Sequence, residues 1–176
     1  MSLLKKQGFQ FFIFFGIFAL IAGIAHAEVS AETQYVFNTF LFLVCGFLVM
    51  FMAAGFDMLE AGSVRSKNAA AICVKNISLY STAGLLYWLV GYNLMYGVDE
   101  GGFLGSISVW TADDMAVGGE APDYSGGYAS GSDWYFQMVF CATTASIVSG
   151  TIAERLKIWP FLIFTLVLTG FIYPIV

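Results

Sequence analysis

Hydrophobic residues fall into four long runs, at about 36–62, 69–97, 134–153 and 160–176. Each is close to the roughly 20 residues that an α-helix needs to cross a bilayer. A fifth run, 9–24, is preceded by Lys5 and Lys6 and followed by Ala25-His26-Ala27. That three-part form predicts a secretory signal peptide over 1–27, cleaved before Glu28. The polar residues sit between the runs, in a tight turn at 63–68, a long Gly-rich loop at 98–133 and a short turn after 153. The pattern predicts an all-α polytopic membrane protein with mature chain 28–176. The last run reaches Val176 with 17 residues, the lower edge of a crossing length, so the chain is expected to continue in the whole protein.

Composition strengthens the membrane assignment. Charged residues make up 11% and apolar residues 59%, whereas a soluble domain carries about 25% charge. The placement of charge then orients the chain. Asp99, Glu100, Asp113, Asp114, Glu120, Asp123 and Asp133 share the long loop with no Lys or Arg, while Arg65, Lys67, Arg155 and Lys157 lie in the two short turns. With Glu28 outside, every basic turn falls in the cytoplasm, as the positive-inside rule requires. The expected location is the plasma (inner) membrane, multi-pass, with the mature amino terminus outside.

Several function classes find no support. No basic patch with interleaved aromatics suggests nucleic-acid binding. His26, the one histidine, belongs to the cleavage region, so no Ser–His or Cys–His nucleophile can be built. No cofactor motif is present, and enzyme activity is not expected. Cys45, Cys73 and Cys141 all lie in apolar runs and read as small buried residues without metal-ligand spacing. Asp113 and Asp114 lack the alternating oxygen ligands of a calcium loop.

Three groups carry candidate chemistry. In the third run, Cys141, Ala145, Ser149 and Ala153 form one stripe of small residues, and Ala142, Ser146 and Gly150 the next. Such stripes let membrane helices approach closely. Phe136 and Phe140, at i and i+4 near the outer end, are either packing aromatics or a pore mouth whose rings attract a cation. Asp57 and Glu60 share a face of the first run, and ionisable residues inside a membrane helix are functional suspects. Asp57 and Lys75 lie about nine residues either side of the hairpin tip, each about 13–14 Å from it along its helix. This predicts an Asp57–Lys75 ion pair clamping the two helices, or a proton relay. Arg65, Lys67, Glu154 and Arg155 are expected in cytoplasmic turns.

The segments "AGFDMLEAGSVRSKNAAAICVKN", "LLYWLVGYNLMYG" and "FQMVFCATTASIVSGTIAERLKIWPFLIFTLVLTGFIYPIV" resemble the ammonium transporter family, the Amt/Mep/Rh group. The likeness runs from about residue 39 to 176, apart from the acidic loop. It implies the amino-terminal part of an eleven-helix inverted-repeat fold, a homotrimer with one pore per subunit, and ammonium/ammonia as substrate. It also implies recruitment of ammonium at an outer vestibule, passage of ammonia and a proton, and a cytoplasmic PII-type regulatory partner. Phe136 would line the vestibule and Phe140 would form half of a stacked gate. The recruiting Trp, the second gate Phe and the pore histidines are expected beyond Val176. An ammonium sensor of the same fold is the alternative. Where many relatives carry alanine this chain has Asp57, and where they carry an Asp four residues after the Lys it has Leu79. This predicts that Asp57→Ala destabilises the protein and that Leu79→Asp restores it.

Overall fold

The computed structural model describes residues 29–98, 102–114 and 123–176. The expected signal peptide, His26, Asp99, Glu100 and Glu120 lie outside the described residues. Four helices carry the fold: α1 Ala31–Ser63, α2 Ser66–Tyr96, α3 Ser130–Thr151 and α4 Ile158–Ile175. No strand occurs among the described residues.

Local chemistry explains the ends. The Ser30 hydroxyl accepts from the Thr33 amide at 3.3 Å, and Glu32 sits in the positive first turn of α1. The hairpin tip is short. Val64 is extended, and Arg65 opens a 3₁₀ turn, Ser66–Asn68, that runs straight into α2. Pro160 stands in the first turn of α4, where its missing N–H costs nothing.

Helix α3 is the centre of the bundle and packs on α1, α2 and α4; α2 also packs on α4. One core joins Ala83 and Tyr87 of α2 to Met138, Val139, Cys141 and Ala142 of α3. A second joins Leu79, Ala145, Phe161 and Leu168. The small residues Cys141, Ala145 and Ser149 are completely buried, which is what allows three helices to close on α3. Gly150, on the neighbouring stripe, is exposed.

Helices α1, α2 and α4 are long and apolar enough to cross a membrane; α3 is not among them. It is long enough, but it carries Asp133, Gln137 and a series of Ser and Thr residues. Its central position removes the penalty. Thr143 and Ser146 each donate to the carbonyl four residues back, at 2.7 and 3.3 Å, so neither of these buried hydroxyls is left unpaired.

Both α2 and α4 widen into a π turn near the loop end, Tyr87–Gly91 and Leu168–Ile172, and the two π turns pack together. Gly91 makes this contact possible. A Cβ there would lie 2.7 Å from the Tyr87 ring and 3.3 Å from the Thr169 carbonyl oxygen.

The described parts of the long loop are pinned, not the loosely solvated connection its composition suggests. The Trp110 amide donates to the Trp88 carbonyl at 3.0 Å, Gly105 to Leu94 at 3.2 Å, and Asn93 reaches the Ser108 carbonyl at 3.1 Å. Gly105 lies against the Asn93 and Leu94 carbonyls with no room for a side chain. Trp110 then stacks on Trp134 at 5.3 Å between ring centroids. Asp114 caps the start of α3, accepting from the Ser130 amide at 2.6 Å and its hydroxyl at 2.9 Å.

Candidate pore mouth and buried charged network

At the loop end of the bundle, α3 presents Phe136 and Phe140 one turn apart. Their rings meet edge to face, 5.1 Å between centroids. The structure adds two aromatics that the spacing did not single out. Phe42 of α1 lies 5.4 Å from Phe136, and Tyr128, just ahead of α3, lies 4.8 Å from Phe42. Phe42 sits in a run of apolar residues and has no distinguishing neighbour in the sequence. Phe140 is 36% exposed between the fully buried Val139 and Cys141, so its ring points away from the four-helix core. The four rings therefore line a surface, and their faces can attract a cation.

A second unanticipated contact stands beside this cluster. Asp133, 8% exposed, accepts from the Tyr92 hydroxyl at 2.6 Å. The bond ties the loop end of α2 to the first turn of α3, one turn ahead of Phe136 on the same helix. By sequence position Asp133 is one of the acids of the 98–133 segment; burial distinguishes it.

At the opposite end, a charged network is buried among all four helices. Lys75 pairs with Glu60, Nζ to Oε2 at 3.1 Å, and not with Asp57 as the axial count suggests. Asp57 instead accepts from Asn76 at 2.9 Å. The correction has a geometric cause. Side chains on a helix lean toward its amino terminus. On α2 that direction is toward the hairpin tip, so the Lys75 ammonium descends. On α1 it is away from the tip, so the Asp57 carboxylate rises. Glu60, three residues nearer the tip, is the carboxylate that Lys75 meets.

Other bonds close the network. The Asn76 amide also donates to Glu60 Oε2 at 3.2 Å. The Ser149 hydroxyl has a single proton and lies 3.0 Å from both Glu60 Oε2 and Asn76 Oδ1. Lys75 donates to the Ser149 carbonyl at 3.2 Å, and its ammonium stands 5.4 Å from the centroid of the Phe161 ring. One cation thus touches α1, α3 and α4 from α2. Glu60 Oε1 is buried without a hydrogen-bond partner.

Below the network, the two expected cytoplasmic turns interlock. Glu154 accepts from the Arg65 amide at 3.0 Å, from Arg65 Nε at 3.3 Å and from Asn68 at 2.6 Å. Its backbone is left-handed, φ 62°, the one non-glycine residue so placed among the described residues. Such a conformation costs a side-chain-bearing residue about 1–2 kcal/mol, and the three bonds hold it. The Asn68 bond first, and the Arg65 amide second, keep the Glu154 carboxyl below the usual carboxylate range. Lys67 and Arg155 are exposed beside this latch.

Comparison with known proteins places this architecture. The model of the Ammonium Transporter Family matches residues 40–176. The chain belongs to the ammonium transporter family. The ammonium transporter Amt2 of Archaeoglobus fulgidus is 44% identical over 133 residues, covering 76% of this chain and 26% of that protein. The ammonium transporter Amt1 of Haloferax mediterranei is 37% identical over 134 residues, 76% of this chain and 24% of that protein. A solved structure, a Sensor Amt Protein, superposes with a TM-score of 0.70 at 32% identity, over 83% of this chain and 34% of that one. The chain thus spans about a quarter of the two curated relatives and a third of the solved structure. The family resemblance of the three sequence segments is borne out, and so is the all-helical membrane fold.

Proposed function

We propose that this chain is the amino-terminal part of a transporter that recruits ammonium at an outer vestibule and passes ammonia and a proton through an apolar pore. The observation that carries this is the aromatic cluster of Phe42 and Phe136, both half-buried, and the exposed Phe140, on the central helix and α1 of a family member. Ring faces attract a cation, worth about 2 kcal/mol where water is excluded. They do not hold neutral ammonia in this way, so a cation can be collected at the rings and a neutral molecule released beyond them. Phe136 lines the vestibule, and Phe140 is one half of the gate; the other half and the proton-carrying groups belong to helices beyond this chain.

The basic turns support the orientation. Arg65, Lys67, Arg155 and Lys157 lie at one end of the bundle, the cytoplasmic end by the positive-inside rule. The phenylalanines and the acidic loop are then outside, in the plasma membrane, with the amino terminus outside after removal of a signal peptide over 1–27. Assembly as a homotrimer and regulation by a cytoplasmic PII-type protein belong to the same proposal. A sensor is the second reading, favoured by one observation, the likeness to the Sensor Amt Protein.

The test is uptake of labelled methylammonium by cells lacking their own ammonium transport and producing the full-length protein. Phe136→Ala with Phe140→Ala is expected to raise the half-saturating concentration about fivefold to thirtyfold, the equivalent of about 1–2 kcal/mol. Saturable binding without flux would assign the sensor role. Unchanged uptake by the double variant would remove these rings from the path.

A further inference from the structure

A pocket of about 370 Å³ lies between α1 and α2, and Ser146 of α3 forms part of its wall. The end nearer the hairpin tip is bounded by Asp57 and Asn76. Further from the tip it is bounded by Met50 and Phe51 of α1 and by Ile77, Tyr80 and Ser81 of α2. Ala53 and Ala54 lie between, and their small side chains keep the space open. From Asp57 to Met50 the pocket runs about 10 Å along α1. Met50, Phe51 and Ile77 are exposed, so it opens through the side of the bundle. Neither Phe42, Phe136 nor Phe140 lines it.

The polar groups around this space have already committed their protons. The Ser81 hydroxyl donates to the Ile77 carbonyl at 2.9 Å, and the Ser146 hydroxyl to the Ala142 carbonyl at 3.3 Å. Asn76 donates to Asp57 Oδ1 at 2.9 Å and to Glu60 Oε2 at 3.2 Å, which uses both of its amide protons. The Tyr80 hydroxyl is buried without a partner, so Tyr80 offers the pocket its ring. A hydroxyl that donates keeps its oxygen lone pairs, and a carboxylate can accept about four bonds. Asp57 accepts one, from Asn76, and stands beside the thiol of Cys73, a weak donor. The polar part of the wall is therefore a set of acceptors with a carboxylate among them. The rest is apolar.

Charge points the same way. Asp57 and Glu60 bring two carboxylates to the network against the one ammonium of Lys75, and that ammonium pairs with Glu60. Ionisable side chains within a membrane span pair with one another or face a cavity. Asp57 faces this pocket and has no ion-pair partner among the described residues. A metal ion does not suit the site. No group of three His, Cys, Asp or Glu side chains that could hold one comes together among the described residues, and calcium takes about six to eight oxygens. A head that only donates, carries one positive charge and trails hydrocarbon matches both halves of the wall. A primary ammonium has three donors and no acceptor.

We propose that this pocket binds a primary alkylammonium ion. Its head is taken by Asp57 and Ser146, and its aliphatic tail lies along Ala53 and Ala54 between Met50 and Ile77. The bound ion supplies the positive charge that Asp57 lacks and ties α1 to α2 beside the Lys75 pair. The site is separate from the aromatic mouth and is reached through the side of the bundle. It does not depend on the transport reading, because every group it uses belongs to this pocket.

The experiment titrates full-length protein in a neutral detergent with butylammonium, followed by calorimetry, with 1-butanol and sodium as competitors. The wild type is expected to bind butylammonium, and affinity should rise about fourfold per methylene from methylammonium upward. Neither competitor should displace it. Asp57→Asn keeps an acceptor for Asn76 and removes the charge, and should weaken binding about tenfold to hundredfold, the effect of a hydrogen bond to a charged group. Ala54→Leu fills the space under the tail and leaves Asp57 in place, and should abolish the dependence on tail length. Thermal unfolding without amine identifies which variants are folded, and either one suffices for the comparison. No binding by the wild type overturns the proposal, as it would if another helix or a neighbouring subunit filled the pocket. Binding by a folded variant that matches the wild type overturns it too, as does displacement by 1-butanol. The Phe136→Ala, Phe140→Ala double variant should still bind butylammonium. Loss of binding there would assign the amine to the aromatic mouth, which overturns this site and leaves the proposed function standing. Absence of methylammonium uptake would remove the transport reading and leave these titrations to decide the pocket.

Discussion

The two ends of the bundle are held by different physics. At the Arg65 end, buried charge does the holding. Lys75, Glu60, Asn76 and Ser149 bond to one another across three helices, and Glu154 staples the two turns. At the loop end, aromatic stacking and single hydrogen bonds hold the elements: Trp110 on Trp134, Tyr92 to Asp133, and Asn93 to Ser108. Buried charges have few alternative partners, so the first end is specified steeply. Aromatic contacts are individually small and tolerant of displacement. The end that carries the aromatic cluster is the softer one, and it keeps an exposed phenylalanine. The end that sets the helix register is the harder one.

Four experiments can break or sharpen that contrast. The largest effect is expected from Lys75→Met. It leaves Glu60 as an uncompensated buried carboxylate, and removing one partner of such a pair costs about 3–5 kcal/mol. The folded fraction of the full-length protein, followed by thermal unfolding, should collapse. Adding Glu60→Gln should recover much of the loss, since burying a pair is weak evidence of net stabilisation. Failure of the double variant to recover would mean that Lys75 acts through Ser149 or Phe161 rather than through charge. Asp57 belongs to the same region but to a different bond. Asp57→Ala deletes the Asn76 contact at 2.9 Å and should cost about 1 kcal/mol. Contrary to the expectation from the family pattern, Leu79→Asp should not restore it. Leu79 is fully buried against Ala145, Phe161 and Leu168, and the charge of Lys75 is already met by Glu60.

An effect smaller than that of Lys75→Met is expected at the loop end. Tyr92→Phe removes the donor to a buried carboxylate and should lower stability by about 1–3 kcal/mol. If the loop end is the softer one, hydrogen exchange should rise in the first turns of α3 while the α1–α2 tip stays protected. Equal loosening of both ends would dissolve the distinction.

The smallest effect concerns the latch. The Glu154 carboxyl is held below its ordinary range by Asn68 and Arg65. A depressed value means that its contribution is complete above the unfolded-state pKa and is lost as pH falls through the folded one. The melting temperature of the wild type should therefore exceed that of Glu154→Ala at neutral pH, and the gap should close under strongly acidic conditions. Glu154→Gly should fall between them at neutral pH, because glycine relieves the left-handed backbone without restoring the bonds. A gap that persists unchanged into acid would show that the carboxylate charge plays no part.

Much of this protein was legible without coordinates. Long apolar runs with polar breaks dictate membrane helices, because the backbone in lipid must satisfy its own hydrogen bonds. Small residues at helical spacing mark α3 as the helix others pack against, and Cys141, Ala145 and Ser149 are buried as that stripe requires. The ordered motifs around Glu60, Arg65, Lys75 and Glu154 carry the family. What the linear pattern could not decide is which polar atoms meet. An axial count brings Asp57 and Lys75 level, yet the opposite lean of side chains on antiparallel helices delivers Lys75 to Glu60. Asp133 looks like any loop acid until Tyr92 is folded over it. Phe42 has no distinguishing neighbour, and only the crossing of α1 over α3 brings it to Phe136. Periodicity assigns a residue to a face of one helix; a few ångströms of rotation and lean between two helices assign its partner, and those are set by the packing of the whole bundle.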